Sequence, residues 1–177
     1  MTTSNSARAV RALALFAALQ ATFSDVHPFC DQVVQAGTDA IDKGKPGAAG
    51  RKACARHVGS YSAGQLAAAV TRALGYRVPP AALLTGTAIN AITHYAIDRR
   101  TPLRAFLGSA WARRLRLVGD GKLDYLRHAT VQRRDGVVDT SGPGTALMEC
   151  DQALHRILGV VASAVITMLA TRADGAR

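Results

Sequence analysis

Several things are scarce in this chain. Of its 177 residues only four are Lys, one is Glu (Glu149) and 5% are aromatic. The three cysteines, Cys30, Cys54 and Cys150, are odd in number and form no CxxC pair. A disulfide scaffold is therefore a poor description, and a reducing compartment is the simpler one. There is no Gly-rich phosphate loop, no GxSxG elbow, no zinc-finger spacing and no HExxH helix, so the common nucleotide-binding, serine-hydrolase and zincin readings have no motif to stand on. The two N-terminal arginines, Arg8 and Arg11, precede a short apolar run as in a signal peptide. No clean A-x-A site follows, and polar residues begin at once. What is abundant is alanine, with 34 residues. Alanine is the best helix former and a poor strand former, which argues against an all-β fold. The 49% of hydrophobic residues argues against a disordered chain.

Charge is strongly one-sided. Eighteen Arg and four Lys face eleven Asp and one Glu, a formal net charge of +10. Nucleic acid, an anionic membrane face and acidic ligands are the partners such a balance suits.

The apolar periodicity predicts a single all-α domain over 1–177, an antiparallel four-helix bundle of transmembrane type. Helix 1 is expected over 9–43, helix 2 over 48–75, helix 3 over 79–98 and helix 4 over 145–172. The Lys43-Gly-Lys-Pro-Gly47 stretch is a breaker between the first two, and Pro79-Pro80 suits the first turn of the third. Thr101-Pro102 reads as an N-cap with Pro at N1, opening a short basic helix over 101–116. Residues 117–144, rich in glycine, are expected to form a long loop. Tyr61 to Leu84 is only faintly like a helix-turn-helix.

A membrane span needs about 20 predominantly apolar residues. Val78 to Ile97 supplies 20 without formal charge; the other apolar runs are shorter. Mean hydropathy is only +0.09, low for a polytopic membrane protein, so a soluble Ala-rich bundle is the alternative. Basic residues gather in the first and third connections, which lie at one end of an up-down bundle. The positive-inside rule then places segments 43–56 and 99–144 on the cytoplasmic side of a bacterial cytoplasmic membrane.

Three of the five histidines have an aspartate four residues away: His27/Asp31, His94/Asp98 and Asp151/His155. Such a spacing puts both side chains on one helix face. With His57 they lie at the helix ends that an up-down bundle brings to one pole. Seven His and Asp side chains from four helices can thus converge in one layer, as in helix-bundle metal sites. The mixed nitrogen and oxygen set suits Zn, Mn or Fe, and the number of groups could hold two ions. The competing reading is a metal-free polar network that ties the helices together. Pro28 is expected to break helix 1 beside His27, which makes His27/Asp31 the weakest pair. Cys54 and His57 share a face at i,i+3, but the cysteines read more simply as small buried residues. Arg99 and Arg100, directly after Asp98, are candidates for binding an anion bidentately or for anchoring at an interface. His128 is assigned to loop.

The motifs His27-Pro-Phe-Cys-Asp31-Gln32, Lys43-Gly-Lys-Pro-Gly47, Cys54-Ala-Arg-His57, Thr93-His94-Tyr95-Ala-Ile-Asp98-Arg99-Arg100 and Asp151-Gln152-Ala-Leu-His155 stand in a distinctive order. Over roughly residues 13–165 the chain resembles small actinobacterial membrane proteins with His-x-x-x-Asp signatures, a domain family of unknown function. That family is in turn distantly similar to membrane-bound metal-dependent hydrolases. The resemblance implies a polytopic membrane protein with a metal site and no known substrate.

Two functions are therefore expected from different classes. One is a membrane-associated bundle with a His/Asp metal site at its cytoplasmic pole, hydrolysing a lipid- or phosphate-linked substrate. The other is a non-catalytic membrane interaction protein of a mobile-element transfer or envelope system, whose basic segment 99–134 binds lipid, DNA or a partner. A soluble DNA-binding bundle is a third possibility.

Overall fold

The computed structural model of the chain describes residues 2–66, 75–76 and 78–175. It is all-α apart from one small hairpin. In chain order the helices are α1 (Thr2–Phe29), α2 (Gly37–Asp42), α3 (Gly47–Gln65), α4 (Pro80–Asp98), α5 (Thr101–Leu107), α6 (Ala110–Arg114), α7 (Lys122–His128) and α8 (Ala146–Gly175). A π-helical turn, Cys30–Val34, extends α1. Strands β1 (Val131–Gln132) and β2 (Val138–Asp139) pair antiparallel, Val131 opposite Asp139 and Gln132 opposite Val138.

Several boundaries differ from those expected, each for a local reason. The first helix does not run from 9 to 43. It begins at Thr2, continues through Pro28 rather than breaking there, and ends after the π turn. Proline has no N–H to give to the carbonyl four residues back, and the ladder recovers with wider bonds. The Gln35 N–H reaches the Cys30 carbonyl, five residues back, at 2.9 Å. A separate helix, α2, then covers 37–42. The second helix ends at Gln65; the rest of its expected range, at 67–74, lies outside the described residues. The short basic helix over 101–116 is two helices. They are split at Gly108, and Ser109 caps α6 by accepting a hydrogen bond from Ala112 N–H at 3.3 Å. Segment 117–144 is not all loop, since it holds α7 and the hairpin. Helices over 79–98 and 145–172 are found within a few residues, and Pro80 occupies the first turn of α4.

Packing follows four-residue stripes. Leu15, Leu19, Phe23 and His27 are buried along α1, with Asp31 next in the π turn. Ala82, Gly86, Asn90, His94 and Asp98 are buried along α4. Helix α8 lies against both α1 and α4, and α3 packs on α4 and α2. One apolar cluster joins Leu15, Leu19 and Phe23 to Ala82, Ala162, Ile166 and Ala170. A second joins Ile97, Leu103, Leu107, Ala112, Val118, Leu126, Ala146 and Leu147 beneath α5–α7. Gly86 allows α4 and α8 to touch: a Cβ there would overlap the Ile166 side chain. On α1, α4 and α8, the stripe turns from apolar to His/Asp as it leaves the first cluster.

Among the described residues, two helices are long and apolar enough to cross a membrane, over Asn5–Val34 and Ala146–Ala173. Most of the first stretch is not covered by the rest of the chain. Contrary to expectation, the uncharged stretch 78–97 is not among them. Asn90, His94 and the three threonines of α4 (Thr85, Thr87, Thr93) lower its hydropathy.

Candidate metal centre

All seven His and Asp residues singled out by spacing meet in one buried layer. His27 comes from the end of α1, and Asp31 from the π turn. His57 comes from the middle of α3. His94 and Asp98 close α4, and Asp151 and His155 open α8. None of the seven is more than 8% exposed. The pair beside Pro28 holds: His27 Nε2 lies 3.5 Å from Asp31 Oδ2.

The geometry is that of donors crowding toward shared points. His57 Nε2 lies 2.8 Å from His94 Nε2, 2.9 Å from Asp31 Oδ1 and 3.2 Å from Asp98 Oδ2. His94 Nε2 lies 3.1 Å from the same Asp98 oxygen. The other oxygen, Asp98 Oδ1, faces His155 Nε2 at 3.6 Å, and His155 Nε2 faces Asp151 Oδ2 at 3.5 Å. Two donors bound about 2.1 Å from one ion at tetrahedral or octahedral angles stand about 3.0–3.4 Å apart. Three trios satisfy this kind of spacing: Asp31/His57/His94, Asp98/Asp151/His155 and His27/His94/His155, with all donor atoms of a trio within 4.8 Å of one another. Asp98 lends one oxygen toward each of the first two groups.

Hydrogen bonding alone leaves this layer poorly satisfied. An imidazole Nε2 carries at most one proton, yet His57 Nε2 faces three partners. Buried atoms without a hydrogen-bond partner include His27 Nε2, Asp31 Oδ1, Asp98 Oδ2 and His155 Nε2. Unpaired buried polar atoms are costly and rare in a folded protein. Gln152 Nε2 donates to Asp31 Oδ2 at 2.9 Å and lies 3.3 Å from Asp151 Oδ2, so two of the carboxylates do have an amide donor. The outer nitrogens, Nδ1 of His57 and of His94, have no partner either.

The charge count points the same way. When ionised, Asp31, Asp98 and Asp151 carry three negative charges. Four imidazoles stack within the layer, with ring centroids as close as 4.0 Å for His94 and His155. Rings packed so tightly cannot all be cationic. The remaining cation is Lys43, whose Nζ is 3.1 Å from Asp98 Oδ1 and 8% exposed as a residue. With all four imidazoles neutral the layer is short of two positive charges, each imidazolium it holds lowers that by one, and burying net charge without compensation is strongly unfavourable.

Lys43 is the residue that spacing arguments overlooked. It is one of several cations in a breaker loop, and no local pattern marks it. Its position depends on contacts far apart in sequence. Arg99 donates from NH1 to the Lys43 carbonyl at 2.5 Å and from NH2 to the Lys45 carbonyl at 2.6 Å. Arg100 donates to the Ala40 carbonyl at 3.2 Å and to Ser141 Oγ at 2.9 Å. Arg56 pairs with Asp39 and holds its carboxyl below the ordinary range. These arginines seat the 39–45 segment over the layer. Tyr61 is a second addition, its ring 4.4 Å from that of His94.

The two arginines proposed as an anion site separate here. Arg99 spends both terminal nitrogens on backbone carbonyls. Arg100 lines a cavity of about 410 Å³ that reaches the layer, together with Asp31, Lys43, Asp98, Arg133 and Asp151. The loop assignment of His128 is corrected: it ends α7, exposed and away from the layer. Cys30 and Cys54 are buried free thiols and Cys150 is half-buried; none belongs to a donor trio.

A comparison with known families, with characterised proteins and with solved structures finds no match for this chain. Function is therefore read from the layer's own chemistry.

Proposed function

We propose that the His/Asp layer is a divalent metal centre and that the protein is a membrane-associated, metal-dependent hydrolase of a phosphate-linked substrate. One observation carries the reading. Seven buried donors from four helices converge at ligand spacing, and Asp98 Oδ2, Asp31 Oδ1, His27 Nε2 and His155 Nε2 have no hydrogen-bond partner, while Asp98 Oδ1 is paired with Lys43. The arrangement suits two ions bridged by Asp98. Asp31, His57 and His94 would hold one, and Asp151 and His155 the other, with His27 beside them. Zn, Mn or Fe fits the mixed nitrogen and oxygen set. Such an ion supplies Lewis acidity and a water acidified toward neutral pH. The residues of the chain would fix the ions and exclude bulk water, with the cavity as an approach to them. Two helices of spanning length support membrane association; by the positive-inside rule we take the layer to lie at the cytoplasmic pole of a four-helix arrangement.

Elemental analysis of protein purified from the membrane fraction tests the reading. About one or two equivalents of metal are expected in the native chain, and none in the His94→Ala/Asp98→Ala variant. A folded native chain without metal, whatever the ion offered, would overturn it.

A second reading rests on a different surface. Trp111, Leu115 and Leu117 are more than half exposed and stand among Arg113, Arg114 and Arg116. An aromatic and aliphatic face ringed by arginine suits an anionic bilayer surface. The protein would then be an interaction module in which the polar layer only ties the helices together. DNA is the competing ligand for the basic segment 99–134.

A further inference from the structure

The cavity beside the layer has an uneven lining. Asp31, Asp98 and Asp151 close its deep side. Lys43, Arg100 and Arg133 stand around it. Gln35 adds a buried amide Nε2 that has no hydrogen-bond acceptor. The outer wall is the hairpin and the turn after it. Arg100 ties that turn down through Ser141, and Asp139 Oδ1 accepts the backbone N–H groups of Ser141 and Gly142 at 2.8 and 2.9 Å. Those two bonds hold the Asp139 carboxyl below its ordinary range. Between the charged groups lie Ile41, Val137, Val138, Leu147 and Met148.

Arg100 is held in an unusual backbone conformation, with φ of 60°. A non-glycine residue pays for that conformation in strain, which persists where surrounding structure fixes it. Its side chain lies across Gly44, where a Cβ would approach the Arg100 Cδ to 2.5 Å. Sequence and backbone thus cooperate to place one guanidinium at the cavity.

From this arrangement we infer that the cavity binds a phosphomonoester dianion, and that Lys43 is the residue that receives it. The inference rests on the metal reading of the layer. Three carboxylates on the deep side would repel a phosphate by themselves. A divalent ion held among them reverses the local sign and offers a coordination position to a phosphate oxygen. Lys43, tied to Asp98 before the ion arrives, is then free to turn its ammonium to the anion. Arg100, bonded to Ser141 and Ala40, and Arg133, paired with Asp135, have further guanidinium N–H groups to offer, and the Gln35 amide Nε2 adds a donor without an acceptor. The aliphatic lining gives room for a short apolar group attached to the phosphate. Binding of the anion and of the ion is mutually reinforcing, as linkage requires.

The test uses Mn²⁺ as the ion and ³¹P relaxation as the reporter. The protein is loaded with Mn²⁺, and retention is read from loss of the free-ion electron paramagnetic resonance signal. Inorganic phosphate and a short-chain phosphatidic acid below its micelle concentration are then titrated separately. Strong, saturable ³¹P relaxation is expected with the loaded native chain. Lys43→Ala should retain Mn²⁺ and weaken the anion roughly tenfold or more, the loss of one charge-assisted bond. Arg133→Ala, on the exposed hairpin, should fold normally and weaken it to a lesser degree. Tighter binding of the phosphatidic acid assigns the phosphate to a lipid headgroup; equal binding assigns it to a free phosphate. Retained Mn²⁺ without ³¹P relaxation, or relaxation unchanged in both variants, overturns the inference and leaves the metal reading standing. Failure of the native chain to retain Mn²⁺ overturns both.

Discussion

His57 and His94, on different helices, point their Nε2 atoms at each other across 2.8 Å, and both nitrogens also face Asp98 Oδ2 at 3.1–3.2 Å. One shared proton can satisfy only one of these approaches. A cation among them satisfies all three, and Asp98 becomes the pivot because its second oxygen serves the Asp151/His155 group. Removing its charge should therefore do more than removing that of any neighbour. Asp98→Asn is expected to abolish retention of both equivalents, and Asp151→Asn to abolish only one. Elemental analysis of the two variants beside the native chain checks this. Equal losses in the two would mean that Asp98 is not a bridge.

Protons compete with the ion for the same atoms. Ligating imidazoles must be neutral and ligating carboxylates ionised, so metal affinity rises with pH and falls as these groups take up protons. The thermal stabilisation produced by added Zn²⁺ or Mn²⁺ should be larger at pH 8 than at pH 5. The metal-free chain should show a much shallower difference. A stabilisation independent of pH across that range would place the ion on groups other than these histidines.

Much of the layer was legible in the sequence because helical periodicity is local. The run Leu15, Leu19, Phe23, His27, Asp31 keeps one interval from apolar core to polar layer, and so does Ala82, Gly86, Asn90, His94, Asp98. A four-residue interval fixes a face, and the chain direction fixes the end at which that face turns polar. The helical breaks were less legible. Pro28 argued for a stop, but α1 runs through it and passes into a π turn at Cys30–Val34. Lys43, Gln35 and the hairpin left no periodic trace. Their places depend on Arg99 and Arg100 reaching across more than fifty residues to carbonyls of the 40–45 segment. Contacts of that kind carry no signature in spacing.

Close contact between α4 and α8 should be sensitive at a single position. Gly86 faces the Ile166 side chain and stands near the Ala162 carbonyl, in the apolar cluster away from the donors. Gly86→Ala inserts a methyl group where there is no room, which costs about 1–3 kcal/mol when a packed core must shift. The helix propensity gained from alanine, about 1 kcal/mol, offsets only part of this. The thermal midpoint in detergent should fall by several degrees while metal content stays at the native level. An unchanged midpoint would show that α4 and α8 separate readily, and that the layer does not depend on their contact.

The arginine-ringed patch on α6 and the turn after it makes the last expectation, and it separates lipid from nucleic acid. Trp111 packs edge-on against Phe106 at a centroid distance of 6.0 Å, so its indole is braced while more than half its surface is open. An indole in that state prefers the boundary between headgroups and acyl chains. Trp111→Ser together with Leu115→Ser removes the apolar contact and keeps every charge. Arg113→Gln together with Arg114→Gln removes charge and keeps the apolar face. Reconstituted or detergent-solubilised protein should show brighter, blue-shifted tryptophan fluorescence on meeting vesicles containing anionic lipid, and neither change with neutral vesicles. The charge variant should lose the preference for anionic lipid in proportion to salt, since each basic group near the surface contributes about 1 kcal/mol. The serine variant should lose binding even at low salt. If instead the serine variant binds as the native chain does and DNA competes fully with vesicles, the face acts through charge alone. Segment 99–134 is then a nucleic-acid surface, with a steep logarithmic dependence on salt as its signature.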